Sequence, residues 1–267
     1  TWCEFKACKT GCPTGGDMAR IKSEFLHQYH RQCGSTWQQK LMSRADQLAS
    51  FGTRLTPVSN WLLESPFFRH MNQWLLGIDA RRTLPRFASR SFMSWWSNRD
   101  VPDSRLLAGR RAVLFVDTFT NYYEPEHAMS AVTLAERVGI TLDVVGYHCC
   151  GRPAISKGFL DRARDSAKRV QDELMPWVQQ GVPILFLEPS CYSSVSDDHL
   201  HLLPESMRTQ AKQVASSCHL FDQWLMELAT RDSSVSKCLS EDIRRGPGEV
   251  LVHGHCHQRS LTGMDST

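Results

Sequence analysis

No apolar run in this chain approaches the ~18 residues that a membrane-spanning helix needs, so no stretch of it reads as a span. The chain opens Thr1-Trp2-Cys3, with no initiator Met and no basic-then-apolar leader. No signal peptide is therefore expected, and the setting is read as cytoplasmic. Charge of one sign is also scarce. A net charge of +3 over 267 residues is too small to argue for a nucleic-acid partner. With 22% charged and 41% hydrophobic residues, the composition is that of an ordinary soluble globular protein, long enough for one large or two modest domains. Cysteine is what the chain has in excess, with ten in all. The framework of a small secreted disulfide protein does not fit this length. The cysteines sit at turn-like segments beside His and Pro, which favours metal or redox chemistry.

The first of these segments is Cys3 to Pro13. Cys8-x3-Cys12-Pro13 matches the tail of the bacterial ferredoxin run C-x2-C-x2-C-x3-C-P, in which closely spaced thiolates wrap one cluster and the Cys before Pro turns to another. The complete run would put cysteines at positions 2 and 5, where Trp2 and Phe5 stand, and Cys3 is the nearby substitute. Asp17 then reads as the cap of a helix with Met18, Ile21, Phe25 and Tyr29 near a 3.6-residue period. A second helix is expected from Ser35, with Trp37, Leu41, Ala45 and Leu48 on one side and Gly52 as its stop, and shorter helical stretches end near Gly77. Residues 1–77 are thus expected to form a partial helical module of four-iron ferredoxin type.

Residues 78–109 read as a basic linker. Over 78–111 there are eight arginines (81, 82, 86, 90, 99, 105, 110 and 111) against Asp79, Asp100 and Asp103, with Phe92, Trp95 and Trp96 among them. Two readings apply: a surface for a partner or for the inner face of an anionic membrane, or a linker whose aromatics pack on the neighbouring domain.

From residue 110 the pattern becomes α/β. Expected strands are Ala112–Val116, Thr141–Val145, Pro183–Leu187 and Glu249–Val252. Helical patterns separate them: Pro125–Val138, Lys157–Gln180, Pro204–Ser217 and His219–Thr230. Near-continuous apolar strands alternating with helices imply a parallel, Rossmann-like sheet covered on both faces. In such a sheet the carboxyl ends share one edge, and ligands bind in the crevice outside it. Asp117-Thr118-Phe119-Thr120-Asn121 follows the first strand and His148-Cys149-Cys150-Gly151 the second. Glu188-Pro189-Ser190-Cys191 follows the third, and His253-Gly254-His255-Cys256-His257 the expected fourth. Thiols and imidazoles in one crevice suit iron–sulfur clusters or zinc. Cys149, Cys150 and Cys191 are the better cluster ligands, and His255, Cys256 and His257 are too closely spaced to meet one ion and are read as support. Cys33, Cys218 and Cys238 lack such context and read as structural.

These residues carry a resemblance. The chain is similar to the iron–sulfur region of the FAD-linked D-2-hydroxyacid dehydrogenases, related to the glycolate oxidase and glycerol-3-phosphate dehydrogenase iron–sulfur subunits, and to the cysteine-rich "CCG" domains of heterodisulfide reductases. The matching pieces are Cys12-Pro13-Thr14-Gly15 with Asp17-Met18-Ala19, Asp117-Thr118-Phe119 with Asn121-Tyr122-Tyr123, and Cys149-Cys150-Gly151-Arg152-Pro153. Glu188-Pro189-Ser190-Cys191 and His253-Gly254-His255-Cys256-His257-Gln258 complete the set, in the family's order. Three features depart from the family. No flavin domain precedes this region, Phe5 interrupts the cysteine run, and the family's second Cys-Cys-Gly is missing after the His-Cys-His segment. The chain is therefore read as a fragment or as one piece of a split protein, with residues 110–267 a CCG domain whose second half is truncated.

The resemblance implies FAD in an associated dehydrogenase domain or subunit, two-electron oxidation of a hydroxyacid such as lactate, glycolate or 2-hydroxyglutarate, and four-iron clusters here. Electrons would pass singly through clusters held by Cys3, Cys8 and Cys12 and by Cys149, Cys150 and Cys191 to an unidentified acceptor. The alternatives are a CCG-type reductase that cleaves a disulfide or other sulfur substrate, and a scaffold that a metal merely stabilises.

Overall fold

The computed structural model describes residues 16–100, 110–145, 148–242, 249 and 251–263. Helices come first: α1 (Met18–Cys33), α2 (Trp37–Met42), α3 (Ala45–Arg54), α4 (Val58–Glu64), α5 (Pro66–Leu76) and α6 (Phe92–Ser97). The Asp17 carboxylate caps α1 by accepting the Arg20 N–H. Thr36 and Gln39 form a reciprocal capping box on α2. The single helix expected from Ser35 is two helices, because the backbone turns at Ser43-Arg44.

The α/β body is a four-stranded sheet of β1 (Arg110–Phe115), β2 (Ile140–Val144), β3 (Ile184–Phe186) and β4 (Cys218–Leu220). All its pairs are parallel, in the order β2-β1-β3-β4. Between β1 and β2 run α7 (Thr118–Tyr122) and α8 (Pro125–Arg137). Between β2 and β3 run α9 (Arg152–Ser156) and α10 (Leu160–Gln179). Between β3 and β4 come α11 (Pro189–Ser193), a π-helical turn (Ser194–Asp198), α12 (His199–Leu202) and α13 (Arg208–Ser216). The remaining helices are α14 (Phe221–Arg231), α15 (Ser233–Asp242) and α16 (Cys256–Leu261).

Successive side chains of a strand point to opposite faces, and β1 shows the consequence. Ala112, Leu114 and Val116 join one core with Val132, Leu142, Leu185 and Phe221. Val113 and Phe115 join the other with Val170, Leu174, Ile184, Phe186 and Leu220. Helices thus cover both faces, as a parallel sheet requires. The aromatics of the basic stretch pack on this body: Phe92 is fully buried, and Trp95 and Trp96 lie against the same core. The Arg99 guanidinium sits 3.7 Å from the Trp96 ring centre and pairs with Glu136.

The fourth strand is not where the apolar pattern pointed. Leu251 and Val252 are exposed, in irregular backbone. The slot beside β3 belongs to Cys218–Leu220, with Ile184 opposite Cys218 and Phe186 opposite Leu220. Helix α13 ends at Ser216 and delivers the chain straight to that edge, where the Ile184 N–H donates to the Ser217 carbonyl at 2.8 Å. The expected helices over Pro204–Ser217 and His219–Thr230 are accordingly α13 and α14 with this short strand between them.

Among the described residues, no helix is long and apolar enough to cross a membrane. The helical module nevertheless exposes many large apolar side chains, Trp61, Phe67 and Trp74 the most. Its attachment to the α/β body is polar. His27 Nδ1–H donates to the Gly158 carbonyl at 3.2 Å and His30 Nε2–H to the Lys157 carbonyl at 2.9 Å. Phe159 stacks on His30, and Arg162 pairs with Asp46.

Gly158 makes this approach possible. Its φ is +73°, and an added Cβ would lie 2.5 Å from Leu26 Cβ and 2.9 Å from the His27 nitrogen. Gly181 has a similar φ of +71° with nothing within 4 Å of a Cβ. Gly181→Ala should cost only the left-handed backbone penalty of roughly 1–2 kcal/mol. Gly158→Ala should cost about 1–3 kcal/mol more through overpacking. Thermal unfolding of the two variants measures the difference, and equal losses would mean that α1 does not sit on this turn.

Candidate metal centre at the carboxyl edge of the sheet

Because β1 pairs with β2 on one side and β3 on the other, the segments leaving these strands face one crevice. Asp117 leaves β1 and is buried. It caps α7, accepting from the Phe119 N–H at 2.7 Å, the Thr120 N–H at 3.2 Å and the Thr120 hydroxyl at 2.8 Å. Burial is the largest influence on its carboxyl and raises the pKa, and the charge of Glu188 adds to the rise.

The segment after β2 turns at Gly151, whose φ of +87° is left-handed and suits glycine. The Gly151 and Arg152 backbone N–H groups lie near the Cys149 and Cys150 thiols and favour their ionised forms. Cys150 Sγ lies 3.0 Å from Cys191 Sγ, which follows β3, and the Cys149 thiol is close enough to Cys150 to influence its ionisation. Two thiols from distant segments therefore touch, with a third beside them on the turn. Glu188 caps α11 beside them, accepting from the Ser190 hydroxyl at 2.5 Å and the Ser190 N–H at 3.2 Å. Arg152 fastens the two segments together through the Asp198 carboxylate at 2.7 Å, the Ser193 hydroxyl at 2.6 Å and the Ser190 carbonyl at 3.2 Å.

The His-Cys-His segment reaches the same crevice without following a strand. Helix α16 packs on α11. The Ser193 hydroxyl and His257 Nδ1 are 2.8 Å apart, and His255 Nε2 lies 3.6 Å from the Glu188 carboxylate. His257 is buried, whereas Cys256 is exposed. Cys3, Cys8 and Cys12 lie outside the described residues. Of the cysteines read as structural, Cys218 is buried and donates to the Val214 carbonyl, Cys238 is half-buried and Cys33 is exposed.

The crevice disfavours negative charge. Cys149 is pushed far up, first by its bond to the Cys150 thiol and then by burial. For Cys150 the bond with Cys149 pulls downward, but the bond with Cys191 and burial outweigh it, and its pKa lies well above the ordinary thiol value. Cys191 is held down by the bond with Cys150, yet burial and the charges of Asp117 and Glu188 push it up to about 11. Three thiols beside two carboxylates form a donor set that ionises only against a cation, and soft thiolates select iron–sulfur clusters or zinc. In that chemistry the residues fit such a group. Among the described residues, however, no three His, Cys, Asp or Glu side chains are already arranged around an ion, since the thiols meet one another instead.

The polar residues after Cys191 were not recognisable as part of the site. Ser193, Ser194, Asp198 and His199 belong to no motif, yet all four are buried. Burial lowers the His199 pKa to about 4, so the ring is neutral. The one signal in the sequence is the density of Ser, Asp and His directly after a candidate ligand.

The chain spans about half the length of curated relatives it matches. It is 25% identical over 223 residues to a subunit of the anaerobic glycerol-3-phosphate dehydrogenase of Escherichia coli (strain K12), covering 83% of this chain and 53% of that protein. It is 25% identical over 206 residues to the D-2-hydroxyglutarate dehydrogenase of the same organism, covering 75% of this chain and 20% of that one. Similarity to lactate utilization protein A 2 of Bacillus mycoides (strain KBAB4) is 22% over 157 residues, 58% of this chain and 60% of that protein. These relatives fit the resemblance drawn from the motifs, an iron–sulfur region of FAD-linked dehydrogenases. No family model and no solved structure matches the chain.

The influence of Cys150 on the Cys149 thiol makes a signed prediction for reduced, metal-free protein. Cys150→Ala removes the partner that most raises the Cys149 pKa, so Cys149 should alkylate faster with iodoacetamide at mildly alkaline pH. Cys218→Ala should leave that rate unchanged and cost about 1–2 kcal/mol as a small cavity. Peptide-resolved mass spectrometry reads the rates, and an unchanged Cys149 rate in the Cys150 variant would show that influence to be absent.

Proposed function

We propose that this chain is the iron–sulfur electron-transfer part of an FAD-linked oxidoreductase whose flavin-bearing domain or subunit oxidises a D-2-hydroxyacid of the lactate, glycolate or 2-hydroxyglutarate class. The observation that carries this reading is the meeting of Cys149, Cys150 and Cys191 beside Asp117 and Glu188 at one edge of a parallel sheet. Relatives named as dehydrogenases of glycerol-3-phosphate and of D-2-hydroxyglutarate support an oxidoreductase setting. Cys149, Cys150 and Cys191 would hold a four-iron cluster, with His255 and Cys256 of the adjoining segment as candidates for the remaining position. Cys3, Cys8 and Cys12 would serve a second cluster. Such clusters supply one-electron transfer, which is what a reduced flavin needs of its partner.

The chain's own residues prepare the site. Burial of Cys150 and Cys191 excludes water, and the Gly151 and Arg152 N–H groups favour ionised sulfur. Arg152 ties the Cys149-Cys150 turn to α11, and the Ser193–His257 bond ties α16 to the same helix. The burial of Cys150 and Cys191 favours a held cluster over the reductase alternative, because a disulfide substrate reaches buried thiols poorly.

Anaerobically prepared chain should contain iron and acid-labile sulfide and show a broad visible absorption that bleaches on reduction. Cys191→Ser should lose about four iron atoms per chain, while Cys8→Ser should leave the α/β cluster in place. Colourless protein holding stoichiometric zinc would replace this reading with the scaffold alternative. Thiol–disulfide turnover without iron would replace it with the reductase.

A further inference from the structure

A buried polar network stands behind the Cys149-Cys150 turn, and none of its members touches sulfur. The Cys150 carbonyl accepts two hydrogen bonds, from the Ser194 hydroxyl at 3.1 Å and from His199 Nε2 at 2.9 Å. A carbonyl only accepts, so Nε2 carries the ring proton. Nδ1 of the neutral ring is then an acceptor, and Gln171 Nε2 donates to it at 3.3 Å. His199 and Gln171 are both fully buried. The other side of the Gln171 amide, Oε1, is buried with no hydrogen-bond partner among the described residues. An unsatisfied buried acceptor costs roughly 1–3 kcal/mol, so this arrangement is not what local stability alone would select.

The π-helical turn is what lets both donors reach one oxygen. In an α-helix, residues five apart point about 140° away from each other at 3.6 residues per turn. Here the His199 N–H bonds the Ser194 carbonyl, the i to i+5 pattern, which stacks residue 199 over residue 194. Their side chains therefore converge. The carbonyl they hold belongs to the peptide unit between Cys150 and Gly151. In a trans peptide the C=O and N–H point in opposite directions. The N–H of this same unit is the Gly151 group that favours the ionised Cys149 thiol.

We infer that His199, with Ser194 on the π turn, is the positioning residue of the thiol site: it clamps the Cys150 carbonyl and thereby aims the Gly151 N–H at the Cys149 sulfur and the Cys150 sulfur toward Cys191. Gln171 fixes the tautomer that makes the clamp possible. Its significance for electron transfer rests on the reading above, since hydrogen bonds to cluster sulfurs tune their potential. The thiol geometry itself needs no cluster.

The test uses arsenite, which takes up three thiolates, on reduced metal-free protein carrying serine at positions 3, 8 and 12. His199→Leu removes the donor at similar volume, and His199→Gln restores an N–H in its place. Supporting-residue changes at metal sites typically weaken binding about 10- to 100-fold, and His199→Leu should weaken arsenite binding by at least tenfold while His199→Gln stays close to the parent. Ser194→Ala, which keeps one of the two donors, should fall between them and serves if the leucine variant does not fold. In the iron-loaded full chain the reduction potential should become more negative in His199→Leu and recover in His199→Gln. Folded His199→Leu that binds arsenite like the parent would overturn the inference. So would His199→Gln falling as far as leucine, or, if leucine does not fold, parent-like binding by Ser194→Ala. If the parent takes up no iron yet the arsenite series holds, the electron-transfer reading fails and the clamp stands.

Discussion

Parallel pairing of β1 with β2 on one side and β3 on the other puts three departing segments at one edge, and the crevice chemistry depends on it. Had either neighbour been antiparallel, Cys150 and Cys191 would leave from opposite edges. The pairing is enforced from both faces, because alternate residues of β1 feed two separate cores and a one-residue slip would exchange them. A site assembled from segments 41 residues apart is thereby placed by burial, before any polar contact is made.

Burial then sets the electrostatic condition of the site. Water is excluded from Cys150 and Cys191, and Asp117 and Glu188 stand close enough to raise the thiol pKa of Cys191. The neutral Cys150 and Cys191 thiols satisfy each other, which is how a crevice rich in acidic groups avoids buried charge. A cation would reverse the preference of every sulfur at once, since each loses its proton as it gains the positive neighbour. The backbone donors from Gly151 and Arg152 favour the ionised form and are already in place, so the turn is built for the state that the surroundings oppose.

The sequence displays this much unevenly. Strands one to three were legible because each is an apolar run bounded by turn residues, and the thiols were legible because each follows such a run. The fourth strand was not. Cys218–Leu220 is only three residues between helical patterns, and nothing local separates it from a helix end. Its identity comes from the edge of β3, a long-range partner. The apolar stretch further on misled for the complementary reason: Leu251 and Val252 have strand-like side chains but pair with no strand among the described residues. His199 and Ser194 were invisible because a buried polar side chain and an exposed one are the same letter, and only the π turn brings them to one oxygen.

The helical module is coupled to the crevice through backbone groups on both sides of α9. Its α1 contributes Ala19 and Arg20 to a cavity shared with Arg152 and Asp198, the pair that fastens the Cys149-Cys150 turn to the segment after Cys191. Further along α1, His27 and His30 hold the Gly158 and Lys157 carbonyls where α9 gives way to α10. The start of α9 is the turn that carries the thiols, and its end is the turn that α1 grips. Gly151 and Gly158 flank this five-residue helix, both in left-handed backbone, and Gly158 is closely approached by Leu26 and His27 of α1. The helix that the Cys8–Cys12 segment leads into and the Cys149-Cys150 turn therefore sit at the two ends of one short helix.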